Sequence, residues 1–152
     1  MNSVTNDIDF VVNNTVDNLN PTFISRSSTH GFGLFAKGNI SKGNSLGTLD
    51  GQRINLDSWE KIKYNIKEDI KDYYDYFFME CNYLEESVVL VRPLRTKYSY
   101  INHHRVPNLE IENNSLSIVA VRDINDGEEL FLDYRMECLP EIYVNGIKGD
   151  YL

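Results

Sequence analysis

The sequence predicts a mostly β fold of many short strands, with one substantial helix. Six of the nine glycines fall between Gly31 and Gly51, cutting that stretch into pieces a few residues long. A second cut, Asn125-Asp126-Gly127, separates two runs rich in β-branched and aromatic residues. Only one stretch, opening near Asp57, repeats apolar side chains every three or four positions.

The elements follow in order. Residues 1–20 carry six Asn and three Asp with only short apolar fragments, which predicts a loosely ordered N-terminal arm or an edge strand. Thr22–Ser25 reads as the first firm strand, and Leu34–Ala36 and Ser45–Leu49 as the next two. Asp57 with Glu60 three residues on has the spacing of a capping box and opens the helix. Trp59, Ile62, Ile66, Ile70 and Tyr73 form its apolar stripe. Lys61, Lys63, Lys67 and Lys71 fill the other faces, as a solvated surface rather than a binding patch. Tyr76–Tyr83 and Ser87–Arg92 read as a hairpin turning at Glu85-Glu86, and Ser115–Val121 and Glu129–Tyr134 as two further strands. The expected organisation is an arm (1–20), one domain (21–135) and a C-terminal tail (136–152).

Composition narrows the function. Apolar residues make up 41%, enough for a real core. The charge is 15 − 23 = −8, which disfavours nucleic acid as the main partner and suits a basic one. The longest purely aliphatic run, Val88–Val91, is too short to span a membrane. Met1–Asn20 holds no Lys or Arg and no long apolar core, so no secretory or transit signal is expected there. The two cysteines, Cys81 and Cys138, have neither zinc-like spacing nor a disulfide framework, which makes a reducing, intracellular setting the expectation.

Singly, the chemically suggestive residues are weak signals. Gly31-Phe32-Gly33 is compatible with a turn over a phosphate, but two glycines more often mean backbone geometry. His103-His104 would face opposite sides of a strand, and no third ligand is suitably spaced, so no metal site is expected. Asp133-Tyr134 at a strand end is either a catalytic pair or a capped edge.

Their order is more specific. The chain runs through His30-Gly31-Phe32-Gly33-Leu34-Phe35-Ala36, then Ile40-Ser41-Lys42-Gly43, then Tyr100-Ile101-Asn102-His103-His104-Arg105-Val106-Pro107-Asn108. It ends with Asp126-Gly127-Glu128-Glu129-Leu130-Phe131-Leu132-Asp133-Tyr134. This resembles the SET-domain family of protein lysine methyltransferases, in its minimal viral and bacterial form without a zinc cluster after the domain. The resemblance covers roughly residues 21–135.

The resemblance implies a SET-type β-clip of small sheets in which the C-terminal strand forms a pseudoknot, bringing Asn102-His103 beside Tyr134. It implies an enzyme that uses S-adenosyl-L-methionine. Phe32, Gly33 and Leu34 would offer backbone groups to the methionine end of that cofactor, Asn102 would bind its amino end, and the His103 backbone would meet the adenine. Tyr134 would stand where the cofactor meets a substrate-lysine channel, as the catalytic residue. The implied partner is a lysine-containing protein segment, a histone tail or another basic stretch. The location would be cytoplasmic, or nuclear if the substrate is chromatin, and a homodimer is compatible with all of this.

Three departures from the family pattern bear on activity. Leu49 replaces a tyrosine many members carry on the second strand, which removes one wall hydroxyl. Leu132 stands two residues before Tyr134, where Phe or Tyr is usual. No cysteine cluster follows Tyr134, so the tail, through Leu139, Ile142 and Tyr143, is expected to close the site. An alternative reading is a catalytically weak SET-fold module that binds cofactor or a basic peptide.

Overall fold

A computed structural model describes residues 6–69, 81–92, 94–146, 149–150 and 152. Ten short strands are described: β1 (Thr22–Arg26), β2 (Phe32–Ala36), β3 (Ser45–Thr48), β4 (Gln52–Asn55), β5 (Cys81–Glu85), β6 (Val88–Val91), β7 (Asn102–His103), β8 (Leu109–Ile111), β9 (Ser117–Ala120) and β10 (Phe131–Leu132). The described helices are α1 (Ile8–Asn13), α2 (Leu56–Ile66) and α3 (Glu141–Val144), with described 3-10 turns at Lys97–Tyr100 and Tyr134–Met136. The mostly β expectation holds. Two compact units result, one from the residues up to Leu49 with Thr96–Tyr134, the other from Asp50–Arg95 with the tail from Arg135.

The first unit contains the antiparallel pair β1-β2, the sheet β3-β9-β8 and the parallel pair β10-β7. Its core includes Val11, Leu34, Ile101, Ile118, Ile124 and Leu130, each at most 1% exposed. The described part of the arm departs from the expected loose arm or edge strand. Asp7 caps α1 by accepting from the Asp9 and Phe10 amides at 3.0 and 3.1 Å, and Val11 and Leu19 are fully buried. A buried lysine then holds the arm's end: Lys97 Nζ lies 2.6 Å from Asp17 Oδ1 and donates to the Thr22 carbonyl at 2.7 Å. Two apolar anchors and one satisfied cation outweigh a polar composition.

In the second unit the sheet β4-β6-β5 packs Val89 and Val91 against Trp59 of α2. Helix α2 begins one residue after Asn55, whose side chain accepts from the Asp57 amide at 3.0 Å. The cap is therefore Asn55, and Asp57 sits in the first turn where its charge favours the helix N-terminus. Trp59 is buried but Ile62 is 41% exposed, while Lys63 lies over the Trp59 ring at 5.7 Å. The expected Ile70, Lys71 and Tyr73 of this helix, and Tyr76–Glu80 of the hairpin, lie outside the described residues. The hairpin turns at Glu86-Ser87, since Glu85 pairs with Val88. The tail joins this unit: Glu137 accepts from Asn82 Nδ2 at 2.9 Å and the Tyr83 amide at 3.2 Å, and Tyr143 lies against Tyr83.

Candidate active site

The site is built where one strand changes partners. Gly127 donates to the Ala36 carbonyl and Ala36 to the Glu128 carbonyl, both at 2.9 Å, and Leu130 donates to the Leu34 carbonyl at 2.8 Å. These bonds hold residues 127–130 along β2. One residue later the same segment pairs in parallel with β7, Phe131 opposite Asn102 and Leu132 opposite His103. The expected single strand Glu129–Tyr134 is thereby reduced to the two residues of β10. Asn108, 1% exposed, bridges the change: its Nδ2 donates to the Glu129 carbonyl and its Oδ1 accepts from the Phe131 amide, both at 2.8 Å. A side-chain amide does there what a neighbouring strand would do.

The parallel pairing delivers Tyr134 to His103, thirty-one positions away in sequence. The Tyr134 amide donates to His103 Nδ1 at 3.1 Å, and the two rings lie 5.4 Å apart, tilted by 47°. An Nδ1 that accepts an amide hydrogen keeps its lone pair, so the ring proton belongs on Nε2. The Tyr134 hydroxyl donates to the Ile101 carbonyl. Asp133 Oδ1 is 3.8 Å from His103 Nδ1, with both side chains under a tenth exposed. His104 turns elsewhere, its ring against Phe131 at 5.2 Å.

Asn102 ties β7 to the glycine loop. Its Nδ2 faces the carbonyls of His30 and Phe32, each at 3.2 Å, and Glu129 Oε1 at 2.9 Å. Gly33 lies in the same cluster: a Cβ there would stand 2.3 Å from Glu129 Oε1. Phe32, 8% exposed, carries the Arg26 guanidinium over its ring at 5.2 Å, and Leu34 is fully buried. Leu49 and Leu132 are buried at 5% and 4%. Thus Phe32, Gly33, Asn102, His103 and Tyr134 come together around one junction. Leu34 joins it through its backbone, with its side chain in the core. Behind the junction, the guanidinium of Arg122, bonded to Glu128, holds that carboxyl below the usual carboxylate range, and the Asn125 amide adds to this.

Three groups escaped the sequence reading as site residues. Asn108 closes the Asn102–Asn108 motif and was available by position. Glu129 sits in the Glu-Glu-Leu run without a role of its own. The Ile101 carbonyl carries no side-chain signal at all.

The donor set suits the cationic end of S-adenosylmethionine. With both Nδ2 hydrogens directed at the loop carbonyls and Glu129, Asn102 keeps Oδ1 as an acceptor, beside the negative charge of the Glu129 carboxylate. A Cβ at Gly31 would meet nothing within 4 Å, so the loop leaves room beside it.

A small-sheet β fold with a histidine–tyrosine junction is the class this structure defines. Comparison with protein families matches the SET domain over residues 31–135. The chain belongs to the SET-domain family. Among solved structures it resembles two of a humanized mutant of the Chaetomium thermophilum Polycomb Repressive Complex 2, one bound to the inhibitor GSK126 and the other to GSK343. Identity is 22% in both, 74% of this chain is covered, and the TM-scores are 0.56 and 0.57. The match spans only 14% and 15% of those chains, so the likeness is one of fold. No curated protein matches the sequence.

Proposed function

We propose that the protein is an S-adenosylmethionine-dependent methyltransferase acting on a lysine side chain of a protein, with Tyr134 as its catalytic residue. The observation that carries this reading is the Tyr134 hydroxyl, donated to the Ile101 carbonyl beside His103. An oxygen whose own proton is committed can only accept. It therefore orients an incoming amine by taking one N–H and leaves the nitrogen lone pair free to attack. The phenol adds no full charge that would hold the amine protonated.

S-adenosylmethionine supplies, when bound, an electrophilic methyl on positively charged sulfur. The amine forms the new N–C bond as the S–C bond breaks, and the electron pair stays on sulfur. Such a displacement needs alignment more than acid–base help. The lysine must arrive neutral, against an ordinary pKa near 10.4, and desolvation beside a positive charge favours that form. Asn102 Oδ1 would hold the ammonium end, with the Glu129 carboxylate behind the Asn102 amide, and Phe32 and Gly33 would flank it. The substrate class is a basic, lysine-bearing segment, which the net charge of −8 attracts. An intracellular location belongs to the same proposal, on the ground that Cys81 and Cys138 show no disulfide framework in the sequence.

The test is transfer of labelled methyl from S-adenosylmethionine to lysine in protein substrates, read by mass spectrometry. Tyr134→Phe keeps the ring and should bind cofactor as the parent does. Its turnover should fall by the equivalent of about 2–4 kcal/mol. Cofactor binding without transfer to any protein would leave the binding-module reading in its place.

A further inference from the structure

We infer that Glu129 is a positioning residue: its carboxylate, together with the His30 and Phe32 carbonyls, fixes the orientation of the Asn102 amide and so the acceptor presented to a cationic ligand group. The ligand part rests on the methyl-donor reading above. The orientation itself rests on three contacts. An asparagine amide can sit in two ways, related by a half turn, that exchange Nδ2 and Oδ1. Every group facing Nδ2 here is an acceptor: the His30 and Phe32 carbonyls at 3.2 Å and Glu129 Oε1 at 2.9 Å. The carboxylate is the nearest and the only charged one of the three. Turning Oδ1 toward it would set oxygen against oxygen, so Oδ1 faces away from the carboxylate.

Glu129 is itself held in place. Its carbonyl accepts from Asn108 Nδ2 at 2.8 Å, and its backbone bridges to Phe35. The carboxylate then lies over Gly33, where a Cβ would stand 2.3 Å from Oε1 and 2.9 Å from Cδ. Gly33 lies within β2, paired with Ser25, so close approach rather than an unusual backbone angle calls for glycine there. The glycine and the carboxylate form one device. A methyl group at position 33 would act chiefly by displacing Glu129, and most of its effect would go once Glu129 is shortened, leaving a milder contact with Ser27 Cβ at 3.1 Å.

The experiment uses the full chain and four variants: Glu129→Ala, Asn102→Ala, Gly33→Ala and Gly33→Ala with Glu129→Ala. One probe is S-adenosylmethionine. The other is methylthioadenosine, which keeps adenosine and sulfur but has neither ammonium nor carboxylate. Glu129→Ala should weaken the first roughly tenfold and leave the second within about twofold. The double variant should bind no worse than Glu129→Ala alone, because the two changes act on one contact. Equal loss of both ligands, or additive losses in the double variant, overturns the inference. A ligand-free readout separates this from the parent reading: the Asn102 side-chain amide signals, followed by NMR, should shift in Glu129→Ala while the core backbone spectrum is retained. Unchanged Asn102 signals overturn the positioning role whatever the ligand. A parent chain that binds neither probe, with shifted Asn102 signals, overturns the methyl-donor reading and keeps the positioning one.

Discussion

Asn108→Ala should be the most damaging single change at the strand exchange. The side chain is 1% exposed and makes two bonds of 2.8 Å, from Nδ2 to the Glu129 carbonyl and to Oδ1 from the Phe131 amide. Alanine removes both and leaves a backbone donor and a backbone acceptor short of partners in a largely buried place. Each such loss costs about 1–3 kcal/mol, so the pair amounts to about 2–6 kcal/mol. For a chain of this size that corresponds to a fall in Tm of roughly 4–24 °C. Asn108→Asp should be nearly as harmful at neutral pH. It keeps an acceptor for Phe131 but turns a carboxylate toward the Glu129 carbonyl and toward Glu128 Oε1, now 3.5 Å from Nδ2. Urea and thermal unfolding of the three proteins decide the matter. A loss below about 1 kcal/mol in the alanine variant would refute the idea that this amide stands in for a strand.

Three further outcomes follow from the same geometry. Leu116 has a left-handed φ of 56°, in the turn between β8 and β9, where its carbonyl accepts from the Leu49 amide at 2.8 Å; Leu116→Asn should relieve part of a strain of about 1–2 kcal/mol and raise Tm, and calorimetry showing a lower Tm would count against it. Glu128 has its pKa depressed below 4.5 by Arg122, so its contribution is present above that pH and lost as pH falls through the lowered folded-state value. With Arg122 exposed and Glu128 only half-buried, the pair contributes about 1 kcal/mol or less, and the small Tm gap between parent and Glu128→Gln should close in acid; a gap that widens there contradicts the assignment. Leu132, buried two residues before Tyr134, has no hydroxyl to hold a crowding water, so a lysine product should progress to two or three methyl groups, and Leu132→Tyr should arrest it earlier in time-course mass spectra. A parent product that stops at one methyl, unchanged by Leu132→Tyr, refutes this.

Some of this was legible from residue order and some was not, for physical reasons. Strands with β-branched or aromatic content, such as β6 and β9, were read within a residue or two of their ends. β4 was missed because Gln52-Arg53-Ile54-Asn55 has one apolar side chain, and its strand state comes from pairing with Val88–Val91. β7 and β8 were missed because two or three residues carry no period. The arm was misread because composition counts Asn and Asp without regard to Asp7 capping a helix or Val11 and Leu19 filling the core. The meeting of Asn102, His103 and Tyr134 was expected only through family likeness. Nothing local to residue 102 indicates that residue 131 pairs with it.

The two asparagines of the Asn102–Asn108 motif explain why such a site tolerates so little regular structure around it. A strand that leaves an antiparallel partner for a parallel one needs, at the exchange, a donor and an acceptor that neither neighbour supplies. Asparagine carries both on separate atoms of a short, planar side chain, whereas a carboxylate only accepts and a hydroxyl has both on one atom. Asn108 uses both ends on the backbone of the exchanging strand, and that fixes the path to Tyr134. Asn102 uses its donor end on the glycine loop and Glu129, and that leaves its acceptor end for chemistry. The same residue type is structural at one position and poised for a ligand at the other because of what faces it. Substitution at 108 should therefore register mainly in unfolding, and substitution at 102 mainly in ligand affinity. Comparable effects of both on both measurements would mean that the division of labour drawn from these contacts is wrong.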